Sequence, residues 1–187
     1  MSYFSVVDGS LHHTMLPPDD AARLADGPAF LLPPLIGAAH AAFKAWGDAG
    51  WSPGPLTPAR VWLTPGGTLA VEFRGTARPA PILHVGVAPD LAAWLVMLCQ
   101  SMEVFVVIAR ARAVWTPEEL AGALTFMTPA YLPPALVRLT GAAGDTALWA
   151  TVASALAQAV VDGPLAGAHQ DRHWQQAGET SPGTSSG

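Results

Sequence analysis

The chain has 187 residues, a length that suits one domain, and 51% of them are hydrophobic against 12% charged. That composition can bury a sizeable core and excludes disorder throughout, while 18 Gly and 18 Pro point to many turns. The net charge is −5 and the nine Lys and Arg residues are scattered, so no run exists that could neutralise several phosphates; no nucleic-acid partner is expected.

In chain order, residues 2–8 (SYFSVVD) are β-rich and end at Gly9. MSYFSVVDGSLHH carries neither a basic region nor a long apolar one, so no signal peptide is expected and the chain reads as cytoplasmic. Residues 17–28 (PPDDAARLADGP) predict a short helix, with acids at its start and Gly27-Pro28 closing it. After Pro33-Pro34, the residues Leu32, Leu35, Ile36, Ala39, Phe43 and Trp46 recur at three- and four-residue spacing. They predict an amphipathic helix that stops at Gly47 or Gly50.

Two short strands are expected at 60–64 and 68–73, joined by Pro65-Gly66-Gly67, a hairpin turn whose glycines accept positive φ. Residues 75–89 are Pro-rich and irregular. Residues 91–109 (LAAWLVMLCQSMEVFVVIA) predict one apolar helix, extending to about residue 114 and long enough to span a bilayer. Gln100, Ser101 and Glu103 at its centre argue instead for a buried central helix, because a carboxylate there costs on the order of 3 kcal/mol in lipid. Cys99, within this run, is the single cysteine; it forms no internal disulfide and reads as a buried, reduced thiol.

Thr116-Pro117-Glu118-Glu119 is a helix start, with Thr as N-cap and Glu at the third position, and that helix is expected to reach about Phe126. Residues 132–139 read as helical or turn-like, and 145–161 as a final helix with Leu148, Val152, Leu156 and Val160 on one stripe. Residues 167–187 lack hydrophobic period and are expected to be a disordered tail, which leaves one domain over 1–166. The fold class expected is mainly α, with a small β-hairpin at 60–73.

The order of these elements resembles the C-terminal lobe of a bacterial Ser/Thr protein kinase. SYFSVVDGS is similar to the strand and hinge that enter the lobe, and LIGAAHAAFKAWGDAGW to the long helix before the catalytic loop. PGPLTPARVWL fits the frame of the H-R-D-L-x-P-x-N loop, with Leu56, Pro58, Val61 and Leu63 on its structural positions. TPGGT matches the following hairpin turn, and VEFRG falls where D-F-G would stand. GVAPDL resembles either A-P-E or the Asp that opens the central hydrophobic helix.

The departures fall on the chemical positions. Pro55 stands where the resemblance implies the catalytic base, Arg60 where it implies the metal-binding Asn, and Glu72 where it implies the D-F-G Asp; Phe73 is retained and Arg74 replaces the Gly. Counterparts of the Gly-rich loop and the ATP-contacting Lys are absent from the sequence. Phosphoryl transfer depends on positioning and on charge neutralisation by metal and cation, so these losses together imply a pseudokinase-like, non-catalytic module. Such a module is expected to act as a regulatory or protein–protein interaction subunit, through a protein partner or by self-association. No cofactor and no metal are expected.

Other candidates are weaker. His169 and His173 sit four apart with Asp171 between them, but no third metal ligand accompanies them. His12-His13 is adjacent rather than helically spaced, and His40 lies between alanines. No G-x-S-x-G, G-x-G-x-x-G or P-loop occurs. Trp51 and Trp62 flank the 54–60 turn and would suit a partner surface if exposed. The rival readings are a small enzyme using Asp19, Asp20, Asp48 and Glu72, and a membrane-associated protein centred on 91–109.

Overall fold

A computed structural model describes residues 2–7, 10–17, 19–26, 32–50, 56–65, 68–73, 87–141, 144 and 146–161. Strands β1 (Ser2–Val7) and β2 (Ser10–Thr14) pair antiparallel. The short β3 (Ala22–Arg23) is followed by helix α1 (Leu32–Asp48), a single 3-10 turn over Pro58–Arg60, and strands β4 (Val61–Leu63) and β5 (Leu69–Phe73). Five helices follow: α2 (Ala88–Leu98), α3 (Val104–Arg112), α4 (Pro117–Phe126), the one-turn α5 (Pro134–Val137) and α6 (Leu148–Val161).

All five strands join one antiparallel sheet in the order β2-β1-β5-β4-β3. The fold is therefore mixed, richer in helix than strand, and the expected hairpin is its centre rather than its whole β content. The β-rich reading of 2–8 corresponds to β1, whose Phe4 pairs with the distant Val71, and the short β3 exists only through its distant pairing of Ala22 with Leu63.

The described residues of the 17–28 segment, 17 and 19–26, do not form the expected helix. Asp20 adopts a left-handed backbone (φ 63°), a conformation that cannot continue a right-handed helix, and Ala22-Arg23 then pair with Leu63 and Trp62. The bonds from Leu24 N–H to the Val61 carbonyl (2.8 Å) and from Ala25 N–H to the Pro58 carbonyl (3.0 Å) tie this segment to the 3-10 turn. Acids first and Gly-Pro last are signals of turns as well as of helices.

The apolar run 91–109 is two helices. Between them, Gln100 and Ser101 are exposed, and the N–H groups of Gln100, Ser101 and Met102 bond back to the carbonyls of Met97 and Leu98. Nine consecutive residues of α2, Asp90 to Leu98, are buried. This helix packs on α1, α3, α4, α5 and α6 and is the central element, which accounts for its all-round hydrophobicity. In α3 only Val107, Ile108 and Ala111 are buried, while Phe105 and Val106 are exposed. Among the described residues no helix is long and apolar enough to cross a membrane.

The helix start at Thr116 is a complete capping box. The Thr116 hydroxyl accepts from Glu119 N–H at 3.3 Å, and the Glu119 carboxylate accepts from Thr116 N–H at 2.8 Å. The final helix begins at Leu148, not 145, because Leu148 N–H bonds the Leu139 carbonyl and Thr140 pairs with Ala147 before the helix starts.

One core joins the sheet and the helices. Ile36, Phe43 and Trp46 of α1, Val61, Leu63, Leu69 and Val71 of the hairpin, and the apolar residues of α2 belong to it, with Trp115, Leu120, Val152 and Leu156 closing its far side. Phe43 meets Trp46 and Trp94 edge-to-face, at 5.2 and 5.8 Å between ring centres. Such pairs contribute about 0.5–1.5 kcal/mol beyond the area they bury.

Candidate functional site

The site is the 3-10 turn and the hairpin that follows it. Thr57 is extended, Pro58 supplies the fixed φ of the first turn position, and Arg60 N–H closes the turn on the Thr57 carbonyl at 2.9 Å. Leu56 is fully buried beneath it. At the opposite end Thr64 and Thr68 close the hairpin: Thr64 N–H donates to the Thr68 carbonyl, and Thr68 N–H to the Thr64 hydroxyl, both at 3.0 Å.

The pairs Val61–Val71, Trp62–Ala70 and Leu63–Leu69 make Arg60 and Glu72 cross-strand neighbours, one step beyond the ladder. There the Arg60 guanidinium takes over the ladder's task. Its Nε and Nη2 both donate to the Glu72 main-chain carbonyl, at 3.1 and 2.6 Å. Both residues are buried, Arg60 at 9% exposure and Glu72 at 6%. The buried guanidinium is thus held in place by charge-assisted bonds at the open end of the hairpin.

Alternation along the strands separates two faces. Val61, Leu63, Leu69 and Val71 enter the helical core. Tyr3, Ser5, Trp62, Ala70 and Glu72 share the other face, since Tyr3 lies opposite Glu72 and Ser5 opposite Ala70. Trp62 is half-buried there. Its ring stands edge-on to Tyr3 (86° between planes, 6.1 Å between centres), and the Arg23 guanidinium lies 5.9 Å over it. Arg23 also pairs with Asp26 at 2.6 Å. The Trp62 Nε1–H is buried and has no acceptor among the described residues.

The residues singled out in the sequence are thus only partly gathered. Arg60, Trp62 and Glu72 come together around the hairpin, and Phe73 ends β5. Pro55 and Trp51 lie outside the described residues, as do Arg74, His169, Asp171 and His173. The carboxylates proposed for a small enzyme sit on separate elements: Asp19 and Asp20 in an exposed turn, Asp48 exposed at the end of α1, Glu72 buried in β5. Among the described residues no group of three or more His, Cys, Asp or Glu could hold a metal ion.

A second cluster was legible only as spacing. His40, Lys44 and Asp48 recur every fourth residue on α1 and line a cavity of about 560 Å³ with Trp115, Thr116 and Glu119. Glu119 is committed to the cap, and His40 stands edge-on to Trp115 at 5.6 Å. The helical period of α1 was enough to foresee that these three side chains share a side; that Trp115 faces them depends on the turn after α3.

Comparison with family models, with curated proteins and with solved structures returns no match. The functional reading therefore rests on this chain's own residues.

Proposed function

We propose that this chain is a non-catalytic module with the frame of a Ser/Thr kinase C-terminal lobe, acting through protein contact as a regulatory or interaction subunit. The observation that carries the reading is the Arg60–Glu72 bond pair. Where the kinase frame would hold a metal ligand opposite a catalytic carboxylate, a guanidinium is spent on a main-chain carbonyl. Phosphoryl transfer needs metal cations beside the phosphates, and a fixed Arg charge beside Glu72 opposes one there.

The surroundings support the same reading. The apolar positions of the frame, Leu56, Val61 and Leu63, are buried, and the hairpin shares one core with the long helix before it and the central helix after it. Asp90, which the resemblance aligns either with A-P-E or with the Asp that opens the central helix, is buried in the first turn of α2. Shape is thus maintained by residues that do no chemistry.

The test is titration with ATP and Mg²⁺, read by thermal shift, together with an assay for transfer of the γ-phosphoryl group to protein substrates. The expected result is no stabilisation and no transfer. Saturable stabilisation that needs Mg²⁺, or transfer proportional to protein concentration and abolished by Glu72→Gln, overturns the proposal.

A further inference from the structure

Helix α3 carries an uncovered stripe. Phe105, Ile108, Ala109 and Arg112 follow the i, i+3, i+4, i+7 spacing that places side chains along one side of a helix. Ile108 is buried at the base of this stripe, but Phe105 is 81% exposed, the second most exposed large hydrophobic side chain among the described residues. The same four residues line one wall of a groove of about 860 Å³, whose other wall is α6. That wall is built from small side chains, Ala150, Ser154, Ala155 and Ala159 among them, and it carries no charge.

The two ends of the stripe differ in a way that matters. Phe105 makes no ring contact among the described residues, and the side chain of Arg112, half-buried in the groove, makes no ion pair or hydrogen bond among them. The stripe thus offers an aromatic face at one end and an uncommitted guanidinium about 10 Å away at the other. Ala109, between them, is small enough for a second helix to approach closely. An aromatic face attracts a guanidinium within about 6 Å. A stripe with these two groups at opposite ends is complementary to itself when reversed.

We propose that the groove between α3 and α6 is a homodimer interface, occupied by α3 of a second copy running antiparallel about a two-fold axis near residues 108 and 109. In this arrangement Phe105 lies against the partner's Arg112 at one end, and the same contact repeats at the other. Isologous two-fold contacts of this kind are the commonest mode of self-assembly. The two Arg112 charges stay at opposite ends of the seam, so no like charges meet. Within one helix Phe105 and Arg112 stand about 10 Å apart, too far to meet, so each finds its complement only on the reversed stripe of a second copy. This names a partner for the binding module proposed above and rests on that reading for its role.

The test is sedimentation or light scattering on the full chain across micromolar concentrations. Dimers are expected, with dissociation raised about tenfold or more by Phe105→Glu and by Arg112→Glu. Both side chains lie outside the core, and unchanged circular dichroism checks that the variants fold. Ala109→Cys, near the axis, is expected to yield a covalent dimer under mild oxidation, whereas the native protein, whose Cys99 is buried, does not. A chain that is monomeric throughout, or a dimer indifferent to Phe105→Glu and not cross-linked through position 109, overturns the proposal. In that case the groove belongs to another occupant, such as an unrelated helix or the residues following α6. The two readings fail separately: nucleotide binding with Mg²⁺ removes the non-catalytic module and leaves the dimer, while a monomer without nucleotide binding removes only the dimer.

Discussion

Arg60 and Glu72 face each other at the open end of the β4–β5 hairpin, and two N–H groups of the Arg60 guanidinium converge on the Glu72 carbonyl. The carbonyl is buried and lies beyond the last ladder pair, so its hydrogen bonding depends on a side chain. A cation there strengthens the bonds and positions the end of β5 against the 3-10 turn.

Arg60→Ala is expected to destabilise the fold by about 2–4 kcal/mol, because it strips charge-assisted donors from a buried acceptor. Arg60→Lys should recover less than half of that loss, since an ammonium lacks the planar fork that reaches one oxygen with two N–H groups. Urea denaturation followed by Trp fluorescence measures both; equal stability of the three proteins would refute the role given to Arg60.

The central helix should be far more sensitive than the exposed side of α3. Leu95→Ala removes a fully buried side chain and is expected to cost about 2–5 kcal/mol, through lost transfer energy and the cavity left behind. Phe105→Ala is expected to change the stability of the folded monomer by less than about 0.5 kcal/mol. Melting temperatures in dilute solution separate the two.

The capping box offers a cleaner measurement. Thr116→Ala should cost about 1 kcal/mol, and Glu119→Ala a comparable or smaller amount. Because each side chain satisfies a donor beside the other, the double variant should lose less than the sum of the single ones. Strict additivity in a double-mutant cycle would show that the two bonds act independently.

Burial pushes the Cys99 thiol up from its ordinary 9.0 to about 12. The folded protein therefore keeps this proton between pH 9 and 12 while the unfolded chain gives it up. The stability this group contributes is complete below pH 9 and is lost as pH rises to 12, with a limiting slope of about 1.4 kcal/mol per pH unit. Other groups titrate in that range, so the measurement is the difference between the native protein and Cys99→Ala, whose stability should fall less steeply. The same burial predicts that Cys99 reacts with thiol reagents only on unfolding.

Where a signal was local, the sequence carried it. The Thr116 cap, the apolar period of α1 and the alternation of the β4–β5 hairpin each depend on residues within a few positions of one another, and all three appear where expected. The site was legible to the same depth: the register that sets Arg60 opposite Glu72 follows from the hairpin itself. What the Arg60 guanidinium binds did not follow, since a cation beside a carboxylate suggests a side-chain pair and not a bond to a main-chain oxygen.

Elements whose form depends on distant partners were beyond local reading. An apolar run of 19 residues fits one long helix as well as two, and only packing decided the break after Leu98: the first half is enclosed by five helices, while the second leaves Phe105 and Val106 in solvent. Residues 17–28 hold no helical commitment strong enough to resist pairing, and Ala22-Arg23 became a strand because β4 presented an open edge. The sequence by itself determined the helices with caps and periods and the central hairpin. Only the tertiary structure decided the five-stranded sheet, the divided central helix and the groove between α3 and α6, because each brings together residues far apart along the chain.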